Sequence, residues 1–381
     1  MADLAEVTVS DRHLGRIAQE VGQQLQAARD QHVIRFQTGT LEPRVATRPA
    51  LAVIEVDGGR LQIRGEGDGP GAHEASWRED KIAILATMTH VISTCDPEPE
   101  LPGCFRDRGF VEKVIGAIGG EGPIGPAAAS SEGLSDLPLP PSLAPSAPRQ
   151  GPELAVRTYV ASTCPIDQFG PMVAAEARRR NFAEAAARAF LGDGSAWIWG
   201  LQALLFPNFV AIVDFLHALG HVFAAAKAAA RDAEGRWELF ESWAEACWKG
   251  GVDQVIEELR VLRDVQEALS PTDGERLADD DPRRIIAREM GYLEHNRERM
   301  DYPRYRRDGL PWTTSHVEST VKIFNRRVKG TEKFWGEAGA EAILQLRAAF
   351  LSEDNRLERH MKETPSSPFR NYKARKPRKA G

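Results

Sequence analysis

Three carboxylates in distinctive local settings most constrain how this chain can fold. Asp57 ends an apolar run and is followed by two glycines, while Asp193 lies between two glycines in a turn-like segment. Glu318 follows a Thr-Thr-Ser cluster that is typical of a helix start. Acids at a strand end, in a turn and on a helix can converge on one point, so the pattern favours a fold that mixes strands with helices.

The overall composition is that of a globular protein with an uneven charge distribution. The 381 residues are enough for a full core and for more than one module. The net charge of −6 gives no general sign of nucleic-acid binding. Residues 370–379, however, carry basic side chains and no acid, which is typical either of a tail that contacts phosphates or of a solubilising terminus.

The chain carries no sequence signal for a membrane or for an oxidising compartment. Its first residues lack an apolar signal core, and no uninterrupted apolar run approaches the ~18 residues that span a bilayer. The four cysteines lack metal-ligand spacing, so we expect buried, reduced thiols. We therefore expect a cytoplasmic protein.

Short β-prone runs are concentrated in the first part of the chain. Two of them flank the segment Asp57-Gly58-Gly59-Arg60, a pattern that predicts a hairpin turn at the glycines. Residues 81–88 predict the next strand of an antiparallel meander, and residues 157–162 are a further strand candidate. Residues 209–214 are typical of a buried parallel strand that ends on an acid.

Helical spacing of apolar residues predicts one early helix and a helix-rich second half. The early helix begins near Ser10 and runs to about Asp30, and an Ala- and Arg-rich helix is predicted over 169–191. A short helix is predicted at 110–118. Later helical patterns cover 217–270, 282–300, 316–328 and 337–351.

A Pro-, Gly- and Ala-rich stretch at 119–152 predicts a loop inside a domain. The chain is accordingly divided into five parts. A helical N-terminal segment covers 1–48, the first part of an α/β core covers 49–216 and a helical insertion covers 217–300. The second part of the core covers 301–365, and a basic tail covers 366–381.

Each acid also has a purely structural interpretation. Asp-Gly is the commonest hairpin signal, so Asp57 can be a turn residue, and Glu55, on the same strand face, is its rival for a catalytic role. Gly-Asp-Gly around Asp193 also occurs in plain turns. Ser315 and Glu318 match a capping box, in which the acid only stabilises the helix end.

Polar residues near the second and third acids extend the pattern. Asp214 ends the predicted parallel strand and is followed by His217, with His221 on the same helix face as an alternative functional histidine. A basic stretch after Glu318 would suit a DNA backbone or form a solvated face. It comprises Lys322, Arg326, Arg327, Lys329 and Lys333.

Together these local patterns resemble the bacterial insertion-sequence DDE transposases of the ISKra type, which are distant relatives of the Mutator-like transposases. The matching segments are Val-Asp-Gly-Gly-Arg at 56–60, Gly-Asp-Gly-Ser-Ala-Trp-Ile-Trp at 192–199, Asp-Phe-Leu-His at 214–217, Arg-Met-Asp-Tyr-Pro-Arg at 299–304, Gly-Leu-Pro at 309–311, Val-Glu-Ser at 317–319 and Phe-Asn-Arg-Arg-Val-Lys-Gly-Thr-Glu-Lys-Phe-Trp at 324–335. The last segment is the most specific, and the resemblance extends from about residue 11 to the end.

The resemblance implies an RNase H-like α/β mixed-sheet catalytic core with an all-helical insertion between the second and third acids. It implies that Asp57, Asp193 and Glu318 are catalytic and hold Mg²⁺ or Mn²⁺, and that Asp214 and His217 support them. It also implies DNA as substrate and partner, association with the nucleoid when on DNA, and a homo-oligomer on paired DNA ends.

The chain departs from the family in its short N-terminal region. Family members usually carry a longer segment that is expected to recognise the ends of the element, whereas here one predicted helix precedes the first catalytic strand. Two alternatives to an active transposase therefore stay open: a truncated DNA-binding remnant and a metal-dependent nuclease on the same fold.

Overall fold

A five-stranded mixed sheet forms the centre of the fold in the computed structural model, which describes residues 10–64, 77–118, 151–269, 277–313 and 335–363. The strands run in the order β3-β2-β1-β4-β5. Strands β1, β2 and β3 pair antiparallel, whereas β4 and β5 run parallel to β1. Their bounds are β1 Leu51–Gln62, β2 Trp77–Met88, β3 Leu154–Ser162, β4 Ala187–Gly192 and β5 Val210–Val213. The predicted α/β class is confirmed at this level.

Eleven α-helices lie within the described ranges. They are α1 Asp11–Gln37, α2 Arg108–Ile118, α3 Ile166–Arg179, α4 Ala196–Leu205, α5 Phe215–Ala229, α6 Ala233–Trp248, α7 Val252–Leu269, α8 Pro282–Asn296, α9 Tyr302–Arg307, α10 Glu337–Leu351 and α11 Arg356–Glu363. The side chain of Ser10 caps α1, as predicted, but the helix extends beyond the predicted end. The predicted helix at 316–328 and residues 119–150 of the predicted loop lie outside the described residues.

The hairpin prediction at Asp57 is wrong. Residues 57–60 stay in the ladder between β1 and β2, where Asp57 pairs with Ile82 and Gly58 with Lys81. A Cβ atom on Gly59 would lie 2.6 Å from the Asp80 carboxylate. The glycine therefore serves a close approach inside a long strand rather than a turn.

The single helix predicted over 169–191 is also wrong. Helix α3 ends at Arg179, and Asn181 then takes a left-handed conformation with φ of 58°. The chain continues as β4 between β1 and β5, where residues 189–192 are buried. Burial in the centre of a sheet overrides the helix propensity of the Ala- and Arg-rich segment, which is only a weak preference.

The helices cover both faces of the sheet. A small cluster joins Ile82, Ile84 and Tyr159 to α10 through Leu344 and Ala348. A larger core joins β1, β4 and β5 to the helices α3 to α8. Within that core α5, α6, α7 and α8 pack on one another, so the helices between β5 and α9 share their interior with the sheet.

The described residues contain no helix that is both long and apolar enough to cross a membrane. All four cysteines are free thiols. Cys104 and Cys247 are buried, and burial raises the pKa of their thiols to about 11 and about 12. Cys95 is exposed and Cys164 is half-buried, which corrects the prediction that all four are buried.

Candidate active site on three parallel strands

Three acids follow paired positions on the three parallel strands. Val56 of β1 is in register with Gly192 of β4, and Gly192 is in register with Val213 of β5. The residues that come next are Asp57, Asp193 and Asp214. Since neighbouring strands lie about 4.8 Å apart, the fold brings the three backbones side by side at the level where β4 and β5 end, while β1 continues to Gln62.

Asp57 is half-buried on β1, and two glycines follow it. Its Oδ1 atom accepts a hydrogen bond of 2.7 Å from the Gly58 backbone N–H. Because Gly58 is exposed and carries no side chain, the backbone next to this carboxylate stays open to a ligand at that residue. This setting suits a cation-binding acid better than a turn residue.

Asp193 is half-buried in a tight turn between β4 and α4. Its Oδ1 atom accepts a hydrogen bond of 2.7 Å from the Ser195 N–H, which closes the turn. Gly194 has φ of 100°, a conformation that side-chain-bearing residues rarely adopt. The glycine after the acid is thus required by the turn that carries Asp193.

Helix α8 holds this turn from the other side. The Tyr292 hydroxyl donates a hydrogen bond of 2.8 Å to the Asp193 carbonyl oxygen, and its oxygen would lie 2.6 Å from a Cβ on Gly194. The Asn296 carboxamide oxygen accepts a 2.8 Å hydrogen bond from the Trp199 indole N–H, while its Nδ2 atom lies 3.4 Å from the Gly194 carbonyl. Sequence reasoning did not identify Tyr292 or Asn296; their only signal is the four-residue spacing that places both on one helix face.

A buried carboxylate orients the histidine beside Tyr292. The His221 ring stacks on the Tyr292 ring at 3.4 Å between centroids, and its Nδ1 atom lies 2.6 Å from Glu289. Burial alone would raise the pKa of Glu289, but His221 and Arg288 hold it below its usual value. His221 therefore belongs to the support of the Asp193 turn, whereas His217 lies half-buried in the first turn of α5.

Asp214 is fully buried and occupied by structural hydrogen bonds. As the N-cap of α5, its Oδ1 atom accepts from the Leu216 N–H at 2.7 Å and from the Thr313 hydroxyl at 3.2 Å. These contacts tie β5, α5 and the segment after α9 together, which suits a supporting rather than a metal-binding acid.

Glu55, the predicted rival of Asp57, is only 5 % exposed. Its burial, with a further contribution from the Asp214 carboxylate, raises the pKa of Glu55 well above the usual value. Its Oε2 atom has no hydrogen-bond partner among the described residues. Since a cation ligand must be ionised, this acid suits metal binding less well than the half-exposed Asp57.

A cation and an aromatic ring lie at the same level of the sheet. The Lys81 ammonium, paired opposite Gly58, lies 2.8 Å from the Glu79 carboxylate and 5.9 Å from the centroid of Trp197. Trp197 is half-buried in the first turn of α4, directly after the Asp193 turn. A cation and an aromatic face are the groups that nucleic-acid backbones and bases contact.

The described residues do not by themselves complete a metal site. No group of three histidine, cysteine, aspartate or glutamate side chains in the described ranges is placed to hold a metal ion. Glu318 and all five predicted DNA-binding residues lie outside those ranges. Thr313 lies beside Asp214, and the Trp335 backbone N–H bonds the Gln62 carbonyl at the end of β1.

Comparison of the chain with protein-family models, curated proteins and solved structures gives no match.

Replacing Gly194 by alanine should destabilise the Asp193 turn. The added methyl group would meet the Tyr292 ring in a backbone conformation that disfavours L-residues, and we expect a loss of roughly 1–3 kcal/mol in the free energy of unfolding. Gly291→Ala is the matched control, because that helical glycine has open space around its Cβ position. Urea unfolding measures both variants, and equal stability of the two would contradict the proposed fit.

Proposed function

We propose that this protein is a DDE transposase related to the ISKra type, which cleaves and joins DNA strands with the help of divalent metal ions. The observation that carries the proposal is the register of β1 with β4, which places Asp57 and Asp193 after paired positions on neighbouring strands. Open α/β sheets place ligands at the carboxyl ends of their strands. The two half-buried carboxylates are the part of the predicted acid trio that falls within the described residues.

The sheet topology supports an RNase H-like core. That fold has three antiparallel strands followed by two strands parallel to the first, in the order 3-2-1-4-5, and the same order is found here. Helices α3, α4 and α5 follow β3, β4 and β5 in turn, as that fold requires. Topology alone does not specify an activity, so the acids carry the functional part of the proposal.

The donor set fits magnesium or manganese. Carboxylate oxygens are the ligands that Mg²⁺ prefers, and Asp57 and Asp193, with Glu318 as the proposed third acid, would hold the ions. When bound, such ions lower the pKa of a coordinated water or 3′-hydroxyl and stabilise the leaving oxygen in phosphoryl transfer. The protein's own contribution is to fix both acids in place, through the β1 ladder for Asp57 and through Ser195 and Tyr292 for Asp193.

The polar groups around the acids favour DNA as the substrate. Trp197 is half-buried and offers an aromatic face for a base, whereas the neighbouring Lys81 is buried and paired with Glu79. The basic side chains between residues 322 and 333 would extend this surface. We also propose that the protein acts as a homo-oligomer, since transposition joins two ends of an element.

The test is an assay of cleavage and joining on labelled DNA that carries the flanks of this gene, with Mg²⁺, Mn²⁺ or EDTA. We expect metal-dependent cleavage at the element ends followed by strand joining. Cleavage without joined products would favour the metal-dependent nuclease. A folded protein that binds DNA but neither cleaves nor joins it would favour the truncated remnant, and a protein that does not bind DNA would contradict all three functions.

A further inference from the structure

A cavity of about 350 Å³ lies between α1, α3, α10 and α11, against β3. The cavity is on the side of the edge strand β3, whereas β5 is the edge strand on the other side of the sheet. Strands β2 and β1 lie between β3 and β4, the strand that Asp193 follows. At ~4.8 Å per strand, roughly 14 Å of sheet separates the cavity from β4. Its volume is within the usual range for small-molecule sites, roughly 300–1,000 Å³.

The floor of this cavity is apolar and made of small side chains. Ala175 of α3 and Ala348 and Ala349 of α10 are buried there, together with Met172 and Val160. Alanines leave a flat, shallow surface rather than a narrow slot. Such a floor would favour the apolar or aromatic body of a ligand.

Guanidinium groups surround this floor. Arg179 and Arg356 are paired with the buried Glu176, so their positions are fixed. Arg359 is half-buried and has no carboxylate partner among the described residues; its Nη2 atom donates to the Asp354 carbonyl oxygen at 2.6 Å. Arg44 makes only a long contact of 3.4 Å with Asp354. Of these four guanidinium groups, Arg44 and Arg359 are the two that do not pair with the buried Glu176, and each contacts Asp354.

His32 also lines this cavity. Burial lowers the pKa of His32 to about 4, and the nearby Arg179 and Arg356 contribute to the decrease against an opposing effect of Glu176. His32 is therefore neutral at physiological pH and can donate one N–H. The positive charge that an anion would meet in the cavity therefore comes from the guanidinium groups and not from His32.

We propose that this cavity binds a phosphate-bearing ligand of nucleotide size, with its apolar part on the alanine floor and its phosphate at Arg44 and Arg359. Guanidinium forks match phosphate oxygens in a bidentate geometry and bind them more strongly than neutral donors do. The ligand is either a free nucleotide or the 5′-phosphorylated end of a nucleic-acid strand. The proposal is independent of the proposed transposase activity, because it uses none of the acids.

Calorimetric titration of the full chain tests the proposal with three probes: AMP, a short 5′-phosphorylated oligonucleotide and the same oligonucleotide without its phosphate. We expect Arg359→Ala to weaken phosphate-dependent binding at least about tenfold. Arg263→Ala, which changes an arginine on α7 whose side chain is 38 % exposed, should leave the affinity unchanged. Melting curves verify that the variants are folded, and Arg44→Ala provides a second test on a more exposed side chain.

Binding of AMP that is sensitive to Arg359→Ala would identify a free nucleotide as the ligand. Binding of the phosphorylated oligonucleotide alone, with the same sensitivity, would identify a strand end. Absence of binding by both phosphate probes, or equal weakening by Arg359→Ala and Arg263→Ala, would overturn the proposal.

Discussion

Replacing Asp193 by asparagine should abolish the proposed metal-dependent DNA cleavage while the protein stays folded. The asparagine oxygen can still accept a hydrogen bond from the Ser195 N–H, so the turn keeps its shape, but the charge that would hold a divalent ion is lost. Metal-ion stabilisation of a phosphoryl-transfer transition state is worth several kcal/mol, so we expect the single-turnover rate to fall at least about a thousandfold.

The variant Asp214→Asn tests whether the loss is specific to Asp193 or follows the neutralisation of any acid at this site. Asp214 follows the neighbouring strand, yet its carboxylate accepts hydrogen bonds from Leu216 and Thr313, which an amide oxygen can also accept. We expect the cleavage rate of this variant to stay within about tenfold of the parent. Asp253→Asn, on the exposed first turn of α7, is the surface control. An unchanged rate in Asp193→Asn, or equal losses in both site variants, would remove Asp193 from the proposed metal site.

Replacing Glu176 by glutamine should cause a large loss of stability, although this residue lies away from Asp57 and Asp193. This carboxylate is 5 % exposed and is shared by Arg179, at 2.8 Å, and by Arg356. Removing one member of a buried ion pair leaves uncompensated charge, so we expect the free energy of unfolding at pH 7 to fall by about 3–5 kcal/mol. Glu358→Gln on α11, which changes a fully exposed partner of Lys362, should leave it unchanged.

The stabilisation of the folded protein by Glu176 should decrease as the pH falls. Burial alone would raise the pKa of Glu176, but Arg356 and Arg179 lower it to about 2, below its ordinary value of 4.5. Because the folded-state pKa is the lower one, the stabilisation is complete above about pH 4.5 and is lost as the pH falls towards 2. This contribution of Glu176 to the free energy of unfolding amounts to roughly 3 kcal/mol. Urea unfolding of parent and variant at pH 7 and pH 3 measures this, and a stability difference that does not shrink at pH 3 would contradict it.

Local sequence patterns were sufficient to predict the strands and helices for which the local preference agrees with the burial in the fold. The parallel strand that ends at Asp214 is confirmed, because a short apolar run bounded by Pro207 and an acid leaves few alternatives. The helix predicted at 337–351 is confirmed with the same bounds. In both cases the local preference and the tertiary environment favour the same structure.

The patterns failed where a distant partner decides the structure. The glycines after Asp57 favour a turn locally, but pairing with Lys81 and Asp80 keeps them in β1. The Ala-rich segment that becomes β4 favours a helix, yet it lies between two other strands. Neither partner is adjacent in sequence, so periodicity and turn signals contain no information about it.

The candidate site was predictable only as a set of acids. Sequence patterns identified Asp57, Asp193 and Asp214, and the register places them side by side on neighbouring strands. The support of the Asp193 turn was not predictable, because Tyr292 contacts it from 99 residues away. Glu318 stays a prediction, since it lies outside the described residues.

The contacts from α8 to the Asp193 turn have a consequence for how this protein can be dissected. Helices that follow the last strand of a sheet are often treated as removable modules that can be deleted or exchanged. Here Tyr292 and Asn296 bond the turn directly, and α8 packs on α5, which begins immediately after Asp214. A shortened chain made by excising these helices would lose the conformation of the turn that carries Asp193, so a chimera must carry α5 and α8 together with β4 and β5.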